Sequence, residues 1–254
     1  MAASRKAATP TPTAPLPDRH VLLWHPDWAA LGHAMGRADD IPVALSQLTD
    51  ENSEVRAKAL EYLERVNHQN TIYSATAPAA LYIAGILNDP WTARAINARY
   101  PTWRTEYRCL RAVLLDWLGD MADDVGDETG RLASKHGFPL DGVPEVIAFR
   151  RARPAIFGAV APFLSDDDPD VRRSAVIAAG QLLDAPELVG HRAGLVAPLR
   201  DVLANCPNKY HHVRAERTLL AWGEDPATLA ELASSAPGTE VEFMPERWAS
   251  DPPF

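Results

Sequence analysis

The sequence predicts an all-α fold: a right-handed α-solenoid of about four helical hairpins between two disordered tails. Three observations predict it. Apolar residues recur at helical spacing through most of residues 20–235. Strand signals are nearly absent, because no run alternates Val, Ile, Thr and aromatics around an Asn-Gly or Asp-Gly turn. A short acidic turn that opens a helix occurs more than once.

Composition narrows the classes. With 254 residues and 46% hydrophobic side chains, the chain buries a core without staples. Lys plus Arg is 25 and Asp plus Glu is 34, a net charge of −9. Binding to a phosphate backbone rests on Lys and Arg, so this balance speaks against nucleic acid as the partner. Cys109 and Cys206 form no C-x-x-C or zinc spacing, and Cys109 reads as a buried free thiol in a helical pattern. A reducing cytoplasm is the expected compartment. No apolar run reaches the ~18 residues of a membrane span. The Arg5-Lys6 pair is followed by Ala, Thr and Pro instead of an apolar stretch, so no secretory signal is expected.

In chain order, residues 1–19 carry four prolines and almost no large apolar side chain, and read as a disordered Ala/Thr/Pro tail. An opening helix is expected over about 27–36. Paired helices follow at about 40–48 and 53–67, then at about 77–88 and 103–122 with Pro90 to Pro101 as an insert. A variable region of short helices, 127–151, precedes a third pair at about 154–164 and 169–183. A fourth pair, about 193–204 and 209–222, leads to a closing helix at 226–233. The C-terminal extension, 236–254, carries Phe243, Met244, Trp248 and Phe254, which dock on the last helix or on a partner.

The repeat is visible when two segments are aligned. Leu48-Thr49-Asp50-Glu51-Asn52-Ser53-Glu54-Val55-Arg56 matches Leu164-Ser165-Asp166-Asp167-Asp168-Pro169-Asp170-Val171-Arg172. Asn52 and Asp168 stand where an N-cap belongs, and Pro169 takes the first helical position, where its missing N–H costs nothing. Glu54 and Asp170 set negative charge on the positive helix end. Weaker copies are read at Tyr107-Arg108 and Val213-Arg214.

This turn, L-x-D-x-x-x-x-V-R-x-x-A, resembles that of the HEAT repeat, an antiparallel helix pair of roughly 40 residues. The resemblance implies a ladder between repeats made by Asp50, Arg56, Asp166 and Arg172, with Arg108 and Arg214 as its remnants where Thr102 and Asn208 replace the Asp. A second resemblance sits in Asn67-His68-Gln69-Asn70-Thr71-Ile72-Tyr73-Ser74-Ala75-Thr76-Ala77-Pro78, with Asp27-Trp28-Ala29-Ala30-Leu31 and Asp39-Asp40-Ile41-Pro42. It is similar to actinobacterial HEAT-repeat proteins of unassigned chemistry. An immunity or accessory role beside a toxin is what the wider likeness implies.

Candidate sites were weighed against plainer roles. His68, Gln69 and Tyr73 form either a polar pocket or hydrogen bonds to helix ends. Thr76 reads as an N-cap. His211-His212 point about 100° apart on a helix and chelate poorly, and no metal motif is present. Asp116 to Glu128 holds six carboxylates and no Lys or Arg, read as a solvated helix end and loop. Trp91, Arg94, Trp103 and Arg104 carry the residue types that anchor protein interfaces, or else the aromatics pack as the core of the insert. No Walker A, G-x-S-x-G or G-x-G-x-x-G occurs.

The expected function is a non-catalytic interaction scaffold or adaptor that binds one protein, with no cofactor and no membrane. The rival is a HEAT-like DNA glycosylase for alkylated bases, which requires a basic concave groove with Trp and Asp converging.

Overall fold

The computed structural model describes residues 16–99 and 105–234. The described residues are predominantly helical, with eleven α-helices. No helix among them is long and apolar enough to cross a membrane. The helices pack on one another along the chain in a way consistent with a solenoid-like all-α fold.

Leu16, the first described residue, packs on the core. Asp18 caps α1 (Arg19–Trp24) by accepting from the His20 amide. Leu22 and Leu23 bury this helix against α4 (Thr76–Ile86). The opening helix expected over 27–36 is absent. Trp28–Ala30 is a 3₁₀ turn, followed by a short hairpin of β1 (Gly32–His33) and β2 (Gly36–Arg37). Two glycines in seven residues break the helical pattern there.

The stacked pairs come next. Helix α2 (Ile41–Gln47) packs on α3 (Ser53–Tyr62). A second hairpin, β3 (Asn67–His68) with β4 (Thr71–Ile72), precedes α4. A third, β5 (Ala95–Arg99) with β6 (Thr105–Cys109), precedes α5 (Leu110–Asp124). Thus α5 begins at Leu110 rather than near 103, and Tyr107-Arg108 lies on a strand. Each hairpin follows a 3₁₀ turn and feeds a helix, a unit that occurs three times in the first half. After α6 (Asp127–Lys135), α7 (Pro144–Val160) packs on α8 (Pro169–Leu182), and α9 (Arg192–Asn205) on α10 (Lys209–Ala221). Helix α7 starts ten residues before the expected 154 and runs through Pro154. Helix α11 (Pro226–Ser234) closes the array against α9, burying Leu229.

Stacking explains the hydrophobic pattern. Helix α4 touches α2 on one side and α7 on the other. Helix α8 lies between α5 and α10. Helix α5 is buried over most of its circumference, Asp116 included, as befits a central helix. Its Leu110, Val113, Leu114, Trp117 and Leu118 are all buried. A Cβ on Gly119 would stand 3.1 Å from the Ala178 Cα, so the missing side chain lets α5 and α8 approach closely. One contact departs from a plain helical array: β5 packs on α3, so the third hairpin wedges between α3 and α5.

Polar ends and edges of the central helix

The two acidic turns fold alike. Asp50 accepts from the Asn52 amide (2.8 Å), and Asp166 from the Asp168 amide (3.0 Å). Asn52 and Asp168 then cap α3 and α8, accepting from Glu54 (2.9 Å) and Asp170 (2.8 Å). Arg56 donates to the Asp50 (2.6 Å) and Glu51 (3.0 Å) carbonyls. Arg172 does the same to the Asp166 carbonyl. The expected ladder therefore takes another form. Each Arg tethers its own turn through backbone oxygen, and the Asp side chains hold amides instead of neighbouring guanidiniums. At the degraded copies the arginines do reach across. Arg108 binds Asp170 (2.9 Å) and Ser174 (3.1 Å) of α8 and Asp116 (2.7 Å) of α5, while Arg214 binds Asp120 (2.6 Å) and Asp123.

Four carboxylates of the acidic stretch, Asp116, Asp120, Asp123 and Asp124, are built into the structure, whereas Asp127 and Glu128 are exposed as expected. Asp116, Asp120 and Asp123 stand at i, i+4 and i+7 on one face of α5. Facing them on α10 are Tyr210, His211, Arg214 and Arg217. His211 Nε2 meets Asp116 at 2.9 Å, and Tyr210 donates to Asp120. Arg217 approaches Asp123 at 3.6 Å. Asn67 of β3 donates to Asp124 (2.7 Å).

Burial gives these pairs their electrostatics. Burial works against charge on both Asp116 and His211. For the His, the Asp116 charge and hydrogen bond overcome it and push the imidazole up to about 9. For the Asp, the His211 and Arg108 charges hold the carboxyl well below its ordinary range. Asp124 goes the other way, raised to about 7 by burial and then by the neighbouring Asp120 charge.

Cys206, His211 and Asp116 fall in the order thiol, imidazole, carboxylate: His211 Nδ1 is 3.7 Å from the Cys206 Sγ. The same order activates a nucleophile in thiol hydrolases. Here the three side chains are 1%, 0% and 1% exposed, so no substrate carbonyl reaches the sulfur. The trio ties α10 to α5.

Sequence-selected residues separate into two places. His68 and Gln69 are exposed on the second hairpin, with Gln69 (φ 52°) and Asn70 (φ 58°) forming its left-handed turn. Tyr73 is half-buried, its amide donating to the Thr76 hydroxyl (2.9 Å). Thr76 is not a cap; its hydroxyl donates to the Val66 carbonyl inside the fold. Asn67 fixes this hairpin at the C-terminal end of α5. Trp91 and Arg94 sit instead at the base of the third hairpin, where the Leu110 amide donates to the Arg94 carbonyl (3.0 Å). The guanidiniums of Arg56 and Arg94 lie 5.7 and 6.0 Å from the Trp91 ring centre. Tyr107 on β6 is 79% exposed. Fifteen helical residues at ~1.5 Å each put the two places about 22 Å apart. Trp103 and Arg104 lie outside the described residues, as do the C-terminal aromatics. Cys109 is half-buried at the end of β6, not in a helix, with its thiol raised by burial.

A groove of about 520 Å³ opens where α5, α8 and α10 end and α6 begins. Its walls carry Asp123, Asp127, Glu128 and Asp184, with Arg131, Arg192, Arg217 and Trp222. Sequence reading missed it. The signal was present as complementary stripes, acidic on α5 and cationic on α10, which only their pairing in space makes meaningful.

No family model, curated protein or solved structure matches the chain. The geometry alone carries the functional argument. No group of three or more His, Cys, Asp or Glu able to hold a metal occurs among the described residues.

Proposed function

We propose that this chain is a HEAT-type helical scaffold that holds one protein partner. One observation carries the reading. The ionisable groups of α5 and α10 are turned inward and paired with each other, while the exposed face of the third hairpin offers Tyr107 and Arg94 beside Trp91. Tyr, Trp and Arg are the side chains that most often anchor interfaces. The hairpin's first strand packs on α3, so its base is held by the helical body. The partner's compartment on this reading is the cytoplasm, and an immunity-type complex with a single toxin is its most specific form.

The test is affinity capture from the native cell, followed by reconstitution of the recovered protein with purified chain. A one-to-one complex by light scattering is the expected result. Trp91→Ala with Arg94→Ala is expected to weaken it at least tenfold while the helical circular dichroism stays unchanged. Failure of any recovered protein to form a complex, or full-strength binding by the double variant, removes the reading or its site respectively.

A further inference from the structure

The third hairpin has an edge that the rest of the fold leaves unpaired. In an antiparallel pair, directly opposed residues alternate between those that exchange backbone hydrogen bonds and those whose N–H and C=O groups turn away. The register sets Ile96 opposite Arg108 and Asn97 opposite Tyr107. The Leu110 amide donates to the Arg94 carbonyl (3.0 Å), which makes these two a bonded pair and fixes the phase. Glu106 and Arg108 therefore bond to β5, while Thr105, Tyr107 and Cys109 turn their backbone groups to the outer side of β6. Cys109 is the N-cap of α5, so its carbonyl opens that helix and only its amide is left. Among the described residues no partner meets that amide or the outward backbone groups of Thr105 and Tyr107.

The strand that carries this edge is anchored. Helix α3 packs on β5, which leaves β6 as the outer strand of the hairpin. On the inner face Arg108 is held by Asp116 (2.7 Å) and Asp170 (2.9 Å), so its charge is answered within the fold. Tyr107 stands exposed on the opposite face. An unpaired edge is a template for another strand, and proteins commonly blunt it with proline or a bulge. Thr105 to Cys109 contains no proline, and its register runs without a bulge. The outward groups recur every second residue, about 6.8 Å apart. An extended backbone repeats its donors and acceptors at that spacing, and a helix does not.

We infer that the protein partner binds through an extended segment that adds to β6 as a third strand, with alternate side chains lying beside Tyr107. The inference rests on the scaffold reading and deepens it, since it assigns the contact to backbone hydrogen bonds as well as to side-chain type. In strand addition the main chain supplies the attraction and alternate side chains supply the selection. The Tyr107 ring favours an aromatic or β-branched residue directly across from it.

The probe is a random dodecapeptide library displayed on phage and selected on the immobilised full chain, with the enriched peptides then synthesised and titrated by fluorescence anisotropy. Backbone N-methylation of such a peptide is expected to weaken binding at least tenfold at every second position and to spare the positions between. Tyr107→Pro removes an amide that β5 does not use, a place where an edge strand tolerates proline, and is expected to weaken binding at least tenfold with the helical circular dichroism unchanged. Tyr107→Ala keeps the amide and is expected to lose less. The N-methyl scan alters only the peptide, so it decides the case even where Tyr107→Pro disrupts the hairpin. No enriched peptide, an N-methyl pattern without the two-residue period, or equal loss in Tyr107→Ala and a folded Tyr107→Pro overturns the inference. The scaffold reading fails separately. Peptide binding of the strand type with no cellular partner removes the scaffold and leaves the edge. A captured partner lost with Trp91→Ala/Arg94→Ala but bound at full strength by Tyr107→Pro removes only the edge.

Discussion

Arg56 and Arg172 solve the same local problem. A tight acidic turn leaves carbonyls without amide partners, and a guanidinium six residues after the turn's Asp supplies donors from within the next helix. Arg56 does so while only 3% exposed, so its own desolvation is offset by two carbonyls and the Trp91 face. The caps beside these arginines are separable from them. Asn52→Ala and Asp168→Ala are each expected to lower unfolding free energy by about 1 kcal/mol in urea titrations. Asp116 is a different case, since its loss strands two buried cations. Asp116→Ala is expected to cost about 3–5 kcal/mol, several times a cap. The His211 linkage sets a pH window. Its folded pKa of about 9 lies above the ordinary value of about 6.5, so its contribution is full below about 6.5. That contribution is lost as pH rises through 9, and denaturant midpoints between pH 7 and 10 should show the fall. Asp124 is a carboxyl raised to about 7, so the folded state holds its proton longer and stability declines from about pH 4 to 7. Asp124→Asn should flatten that slope. At this scale the sequence was informative: both acidic turns and both caps could be read from one chain. The partners of Asp116 could not, because His211 lies 95 residues away.

Elements were legible where side-chain spacing matched one period over many residues. Helices α8, α9, α10 and α11 lie within a residue or two of their expected ends. The hairpins were not legible, for physical reasons that differ. The second turns through Gln69 and Asn70, both left-handed without glycine, and its strands are two residues long. The third is Ala-Ile-Asn-Ala-Arg against Thr-Glu-Tyr-Arg-Cys, with little β-branching to mark it. Pro154 misled in the opposite direction, because a proline signals a helix start more often than a helix interior. Burial of Val146, Phe149 and Phe157 around it keeps α7 continuous. The closest interhelical approach yields a prediction at this scale. Gly119→Val forces a side chain against the Ala178 backbone and is expected to cost about 1–3 kcal/mol by thermal or chemical melting. The same change at Gly142, where a Cβ meets nothing within 4 Å, should be far milder.

Among the described residues the helices form a solenoid-like fold with two departures from a plain helical stack, the wedge of β5 on α3 and the reach of α10 to α5. In such arrays each unit contacts only its neighbours, and stability is a sum of adjacent terms. Here α10 reaches past α8 to α5 through Tyr210, His211 and Arg214. Removing α10 should therefore weaken more than the last pair. A chain ending at residue 207 is expected to lose protection from hydrogen exchange along α5 as well as α8, while α2 and α3 stay protected. The all-α, solenoid-like character was readable from helical spacing. The groove and the two separated surfaces were not, because they arise from which helices end together in space.

That reach also sets an order of assembly during synthesis. While the ribosome is still adding α9, Asp116, Asp120 and Asp123 have no cationic partners from the C-terminal quarter, and a half-made chain must keep them wet. Arg108 and α8 can engage α5 earlier, but its acidic face gains its α10 partners only after Tyr210 to Arg214 emerge.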